Sequence, residues 1–250
     1  MAADVTTDDI AKLIDHWRVT GTKEVTGAWA ERRRLAANMR RVIELLVEID
    51  PPIEDLSTAA DALEVYAQRL QGYPGTRKYE GFAEASNAGD VAAFFDQSPV
   101  IGLSNPLSPP VYLEGDQETR TVEGRVTFGS AFEGPPGYVH GGFIAATFDE
   151  ILGFANSLSG SPGMTAHLMV NFRRPTPLHT PLCVKAKFDR MDGRKIYTSG
   201  EIYAEGVLTA DAEGLFVTIG FEKFRALREA REAREATRSQ QQQAAVEPES

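Results

Sequence analysis

The sequence predicts an α+β protein: an antiparallel β-sheet curled around one central α-helix, with an N-terminal helical extension. Three observations predict it. Between about residues 99 and 224, several runs alternate apolar and polar side chains, the period of strands that bury one face. One run, 141–158, breaks the alternation and is apolar on nearly all sides, as an enclosed helix must be. The first 98 residues instead space apolar side chains three and four apart, the period of a helix face.

In chain order, residues 28–49 place Leu35, Met39, Val42, Leu46 and Ile49 on one helix face. Arg32, Arg33, Arg34, Arg40 and Arg41 lie between them. They are expected as a solvated face, with an anion site as the sharper alternative. Pro51-Pro52 stops that helix. Ser57 is the expected N-cap of a second helix reaching about Leu70, and Gly72-Tyr73-Pro74-Gly75 ends it. A short helix is expected over 91–95. Strands are predicted over 121–128, 182–188, 196–204 and 208–219. In the last of these the apolar phase shifts near Gly214, which predicts a β-bulge there. Met191-Asp192-Gly193 reads as a hairpin turn. Beyond the sheet, Arg225/Glu229, Arg228/Glu232 and Arg231/Glu235 are i,i+4 pairs of a solvated helix, followed by a glutamine-rich tail expected to be disordered. The organisation is therefore a helical extension (1–98), one sheet-and-helix domain (99–224) and a charged tail (225–250).

Composition narrows the function. The chain has 250 residues, 42% hydrophobic and 25% charged, which excludes a wholly disordered chain, a collagen-like chain and a coiled-coil rod. A net charge of −10 argues against a general nucleic-acid-binding protein. One cysteine, Cys183, allows no intramolecular disulfide, and with four histidines it gives no basis for a structural zinc site; no metal is expected. Residues 1–10 carry three aspartates and no basic residue, unlike a secretory signal. No run approaches the roughly 18 apolar residues of a membrane span. A cytoplasmic protein is expected.

The chemistry concentrates in residues 134–142, Gly-Pro-Pro-Gly-Tyr-Val-His-Gly-Gly, which lead straight into the apolar helix. The first N–H groups of a helix lack intrahelical acceptors, and the helix dipole adds to their pull on negative charge. The Gly141 N–H is the leading candidate to polarise a carbonyl and hold an oxyanion; a glycine-rich turn that only permits close packing is the plainer alternative. Asp149 lies in the middle of the apolar helix, where a carboxylate is costly unless paired or functional. Gly142, Ala145, Ala146, Gly153 and Asn156 share its side of the helix, all but Asn156 very small. Burial would favour its neutral form, and a structural aspartate within an interface is the alternative. Eight residues separate Gly141 from Asp149, about 12 Å along an α-helix, too far for a base that must reach its proton directly or through one water. If both act on one carbonyl, Asp149 must come from a second copy. The expected unit is a homodimer, or a dimer of dimers, with interfacial active sites.

These residues carry a resemblance. His140-Gly141-Gly142, then Asp149, then Met164-Thr165-Ala166, then residues 171–178 (Asn-Phe-Arg-Arg-Pro-Thr-Pro-Leu) resemble the hotdog-fold acyl-CoA thioesterases of the PaaI type and their thioesterase-superfamily relatives, over roughly residues 105–221. The resemblance implies a hotdog fold, a sheet wrapped around the central helix. It implies hydrolysis of an acyl-CoA to a free acid and coenzyme A, with no cofactor, coenzyme A being part of the substrate. By the same resemblance Gly141 polarises the thioester carbonyl, Asp149 activates water or attacks directly, Thr165 orients the water, and His140 positions the loop or the thioester. The loop 132–137 lacks the amide side chain that some relatives use as a second carbonyl donor. Coenzyme A brings phosphates, and residues 171–196 hold seven basic residues against two acidic ones. Arg173, Arg174, Arg194 and Lys195 are the candidate phosphate ligands, beside Gly142 at the helix start. Two other readings remain open on sequence: an enoyl-CoA hydratase or dehydratase with His140 as base, and a non-catalytic acyl-CoA sensor.

Overall fold

A computed structural model describes residues 27–73, 96–161 and 163–218. The expected helix at 91–95 and the tail at 225–250 lie outside the described residues. Helix α1 (Gly27–Glu48) and helix α2 (Ile53–Gln71) form the extension. Strands β1 (Tyr112–Asp116) and β2 (Thr121–Val126) follow, then a 3-10 turn (Ser130–Phe132) and the central helix α3 (Gly141–Ser157). Strands β3 (Gly163–Phe172), β4 (Leu182–Asp192), β5 (Lys195–Ala204) and β6 (Val207–Thr218) complete a six-stranded antiparallel sheet, ordered β1-β2-β4-β5-β6-β3. Among the described residues no helix is long and apolar enough to cross a membrane.

The sheet curls around α3, as its alternation predicts. Leu182, Val184 and Ala186 point inward from β4, and Ile196 and Ile202 from β5. They close on Ile144, Phe148, Ile151, Leu152 and Ala155, one face of α3 at helical spacing. The opposite face, running through Gly142, Ala145, Ala146 and Asp149, is only partly covered or exposed. The all-round apolar character of α3 thus serves a helix enclosed on one side in the single chain.

Two expected backbone features move. Helix α2 begins at Ile53, behind Pro52, rather than at Ser57. Pro52 has a φ fixed near the helical value, and its carbonyl accepts from Asp55 and Leu56 N–H at 3.1 Å each, which starts the helix a turn early. There is also no bulge at Gly214. Strand β6 buries Ala210, Ala212, Gly214 and Phe216 without a break in phase. Its opposite face runs from Asp211 and Glu213 to the half-covered Leu215 and Val217, and these last two mimic a phase shift. Gly214 is required by packing: a Cβ there would stand 2.7 Å from the Phe216 ring, 2.9 Å from Thr198 Oγ1 and 3.2 Å from Leu152. The irregularity of β6 falls instead at Thr209, skipped between the Ile202–Ala210 and Tyr203–Leu208 pairs, and the neighbouring strand β3 carries another. Thr165 pairs with Phe216 and His167 with Leu215, so Ala166 is the extra residue.

Of the α1 arginines, Arg32, Arg34 and Arg41 are exposed, as a solvated face requires, whereas Arg33 and Arg40 are half-buried and bonded to the sheet domain. Arg33 Nε donates to Asp96 at 2.8 Å, and Trp29 Nε1 donates to the same carboxylate at 2.6 Å. Arg40 donates to the carbonyls of Leu103 and Asn105 at 3.1 and 2.8 Å. Glu44, one helical step on, accepts from Ser130 and Ala131 N–H at 2.6 and 3.0 Å, capping the 3-10 turn. Helix α1 is therefore fastened to the sheet domain through its polar side.

Candidate active site

Helix α3 and edge strand β3 lie side by side in opposite directions. Asn156 Nδ2 donates to the Gly163 carbonyl, Thr165 meets Asp149, and the Phe172 ring closes on Gly141. The bulge at Ala166 sets this up. Opposite residues on paired strands share a face, so Phe172, Val170, Leu168 and Thr165 all face the same way as Ala210, Ala212, Gly214 and Phe216. In an unbroken strand Thr165 would point away from Leu168; the extra residue turns it towards α3. Its hydroxyl donates to Asp149 Oδ1 at 2.9 Å. The resemblance joins Asp149 and Thr165 through one water; the bulge at Ala166 that brings them together is not visible in the sequence. The signal available was the β-strand pattern around Met164-Thr165-Ala166, where no side-chain alternation marks an extra residue.

Asp149 is exposed in the single chain. The burial expected of it falls on its neighbour Glu150, which is half-buried on the other flank. Burial pushes the Glu150 carboxyl above its usual range, against the hydrogen bond from Ser98 Oγ at 2.9 Å, and the Asp149 charge adds to the rise.

At the helix start, His140 is the N-cap in extended conformation (φ −61°, ψ 132°). Its Nδ1 accepts the Gly142 N–H at 3.0 Å, so the neutral ring carries its proton on Nε2. Phe143 and Ile144 N–H turn to the His140 carbonyl. The Gly142 amide is thus occupied, while the Gly141 N–H has no partner among the described residues. Gly141 also has no room to spare: a Cβ would lie 3.2 Å from the Phe172 ring.

The four basic candidates do not form one patch on this chain. The Arg173 N–H donates to the Thr209 carbonyl, and the Arg194 carbonyl accepts from the Thr218 N–H. Nine residues of β6 separate these points, about 30 Å. Arg173 is engaged by Asp211, through Nε and Nη2, and Asn171 donates to the same carboxylate. The Asp211 carboxyl is held below its usual range by Arg173, and the Arg173 guanidinium is raised in turn by Asp211. Arg174 donates to the Leu208 carbonyl and Arg194 to the Thr218 carbonyl. Lys195 is exposed and forms no ion pair among the described residues. A separate group, Glu44, Glu48 and His179, comes close enough to hold a cation. Its atoms are already used: Glu44 caps the 3-10 turn, and Ser130 Oγ bonds Glu48 at 2.8 Å and His179 at 2.9 Å.

A sheet wrapped around one helix, with a carboxylate–hydroxyl pair on the open flank and a free amide at the helix start, defines the hotdog class of α+β proteins. The comparisons place the chain within it. The thioesterase superfamily profile matches residues 136–210. A thioesterase superfamily protein of known crystal structure is 36% identical, with a TM-score of 0.69, over 80% of this chain and 99% of its own. That coverage exceeds what residues 99–250 can supply, so the likeness extends into the helical extension. Acyl-coenzyme A thioesterase THEM4 of Bos taurus is 36% identical over 118 residues, 45% of this chain and 47% of THEM4. Acyl-coenzyme A thioesterase THEM5 of Homo sapiens is 30% identical over 97 residues, 38% of this chain and 39% of THEM5. The match thus spans less than half the length of these two relatives. The chain belongs to the thioesterase superfamily.

Proposed function

We propose that this protein hydrolyses acyl-CoA thioesters to a free acid and coenzyme A, at sites formed between two copies. One observation carries the reading: the Thr165 hydroxyl on the Asp149 carboxylate at 2.9 Å. The pair is a base with its orienting partner on an exposed flank. A water held there gives its proton to Asp149 as its oxygen attacks the thioester carbon. The carbonyl oxygen, now negative, is held by the Gly141 N–H. The C–S bond then breaks, and the coenzyme A sulfur takes up the proton.

Helix α3 is regular from Gly141 to Ser157, so the separation of about 12 Å between Gly141 and Asp149 stands, and the two groups come from different chains. The edge strand offers the means. β3 has one sheet neighbour among the described residues, and Met164, Met169 and Phe172 are exposed along it, a combination that a lone chain avoids. Antiparallel pairing of β3 with its copy puts Asp149 and Thr165 of one chain beside Gly141 and Phe172 of the other when the two-fold axis falls between Leu168 and Met169. The same axis brings the partner's Arg194 and Lys195 towards Arg173 and Arg174, the way the four basic groups can serve one coenzyme A. Gly142 then shapes the helix start through its bond to His140 rather than binding the carbonyl. His140, an acceptor at Nδ1 and a donor at Nε2, is a cap, which counts against its acting as a hydratase base.

The test is thiol release from short, long and aromatic acyl-CoAs. Asp149→Asn is expected to fold normally and to lower kcat by about 100-fold or more. Undiminished turnover in that variant removes Asp149 from the mechanism, and tight acyl-CoA binding without turnover in the parent turns the reading to a sensor.

A further inference from the structure

We infer that Asn156 is a positioning residue for the proposed base: its side-chain amide holds the start of β3 where the Thr165 hydroxyl meets Asp149. The inference rests on the hydrolytic reading and adds to it a residue that acts through Thr165 rather than on the water or the thioester. Asn156 stands seven residues after Asp149, two turns and about 10 Å further along the same face of α3. That face is exposed at Asp149 and closed at Asn156, which is 2% exposed.

The end of the strand closes it. Asn156 Nδ2 donates to the Gly163 carbonyl at 3.2 Å, and the Thr165 hydroxyl donates back to Asp149 Oδ1 at 2.9 Å. Gly163 and Thr165 are two strand positions apart, about 7 Å, so the two bonds brace one short stretch of β3 against α3. Sheet pairing runs out at this point. Gly163 stands opposite Thr218, the last residue of β6, and the Thr218 N–H donates to the Arg194 carbonyl, away from β3. The pair is therefore of the non-hydrogen-bonded kind, and the Gly163 carbonyl faces the open edge. Asn156 supplies the donor that no strand among the described residues supplies there. The connection from α3 to β3 is thereby closed as a loop of its own. Asn156 and Gly163 are seven residues apart, where Asp149 and Thr165 are 16 apart, and the freedom of the connection ends before it reaches Thr165.

The other half of the amide points to the same role. A polar side chain buried to this degree ordinarily has its donors and acceptors paired. Asn156 Oδ1 has no partner among the described residues. The amide cannot be turned to change this, because the Gly163 carbonyl accepts only from Nδ2. For stability, one bond made and one acceptor left unpaired roughly offset each other. An apolar side chain would fill the place without the unpaired acceptor. What it would not do is hold the strand by its carbonyl.

The test is steady-state thiol release by the full 250-residue chain, with circular dichroism and melting on the same samples. Asn156→Leu fills the space without the donor, and Asn156→Ala serves where leucine does not fit. Either is expected to lower kcat at least about 10-fold while KM moves less than about three-fold, the pattern of a misplaced reacting group. Added to Thr165→Ala, either should deepen the loss of that variant less than about two-fold, because the hydroxyl it places is gone. Losses that multiply overturn the proposal, by assigning Asn156 to the fold at large. So do a parent-like kcat in folded Asn156→Leu, a parent-like kcat in Thr165→Ala, a loss carried mainly by KM, and failure of both Asn156 variants to fold. Asp149→Asn separates the two readings. If it is inactive while Asn156→Leu turns over like the parent, the positioning role alone falls; if it is fully active, the proposed base falls and the role with it.

Discussion

Glu150 and Asp149 are adjacent acids on α3 with opposite surroundings. Glu150 is half-buried, bonded by Ser98, and its carboxyl is raised by burial first and by the Asp149 charge in addition. A carboxyl raised on folding favours the neutral form in the native state. Its contribution to stability is therefore whole below the ordinary glutamate value and is lost as pH rises through the folded value. Glu150→Gln keeps an oxygen to accept from Ser98 and removes the ionisation. The melting temperature of Glu150→Gln, relative to the parent, is expected to be near zero or negative at pH 4 and to rise towards pH 7. A difference that stays flat across that range shows that Glu150 ionises as freely in the folded chain as in the unfolded one. The sequence placed an acid in an apolar helix and drew the right conclusion about cost, but assigned the cost to Asp149. The two differ by one helical step of about 100°, and only the wrapping of the sheet decides which of them is covered.

At the scale of elements, the sheet and the central helix were legible because both follow from side-chain period alone. β1, only five residues long and holding a glycine, was not, since so short a run shows little alternation. The bulge was misplaced for a related reason. Gly214 drew attention as a glycine in a strand, yet its role is to leave room for the Phe216 ring, the Thr198 hydroxyl and Leu152, and the extra residue on β3 is an alanine with no conformational signature. Leu152 is fully buried, and its methyl groups reach within 3.1–3.2 Å of where Cβ atoms would stand at both Gly200 and Gly214. Gly214→Ala is expected to cost about 1–3 kcal/mol by overpacking, and Leu152→Ala about 2–5 kcal/mol by leaving a cavity. Combined, the two are expected to cost close to their sum, because the atoms nearest the new methyl group, the Phe216 ring at 2.7 Å and Thr198 Oγ1 at 2.9 Å, remain when Leu152 is cut back. Denaturant unfolding of the four proteins checks this, and a combined cost well below the sum shows that Leu152 is the neighbour that crowds position 214.

For the whole molecule, the central question is whether one site draws on two chains. The sequence reached this through distance along one helix, and the folded chain keeps that distance while adding the open α3 flank and the exposed β3 edge. What it had no means to see was the antiparallel run of α3 beside β3, which sets the order Asp149, Thr165, then Phe172, Gly141 along the edge. Two substitutions divide the site cleanly. Asp149→Asn removes the proposed base. Gly141→Pro removes the N–H itself, at the first helical position, where proline is favoured, behind a His140 whose ψ of 132° suits the residue before a proline. A Cβ there meets the exposed Phe172 side chain at 3.2 Å, which can give way. Each variant alone is expected to be nearly inactive. Co-expressed in equal amounts, half of the dimers combine the two, and each of these has one site with both the base and the amide intact. Thiol release should then recover to about a quarter of the parent level. No recovery, in a mixture shown by two affinity tags to contain mixed dimers, places Asp149 and Gly141 in the same chain's site and ends the interfacial mechanism.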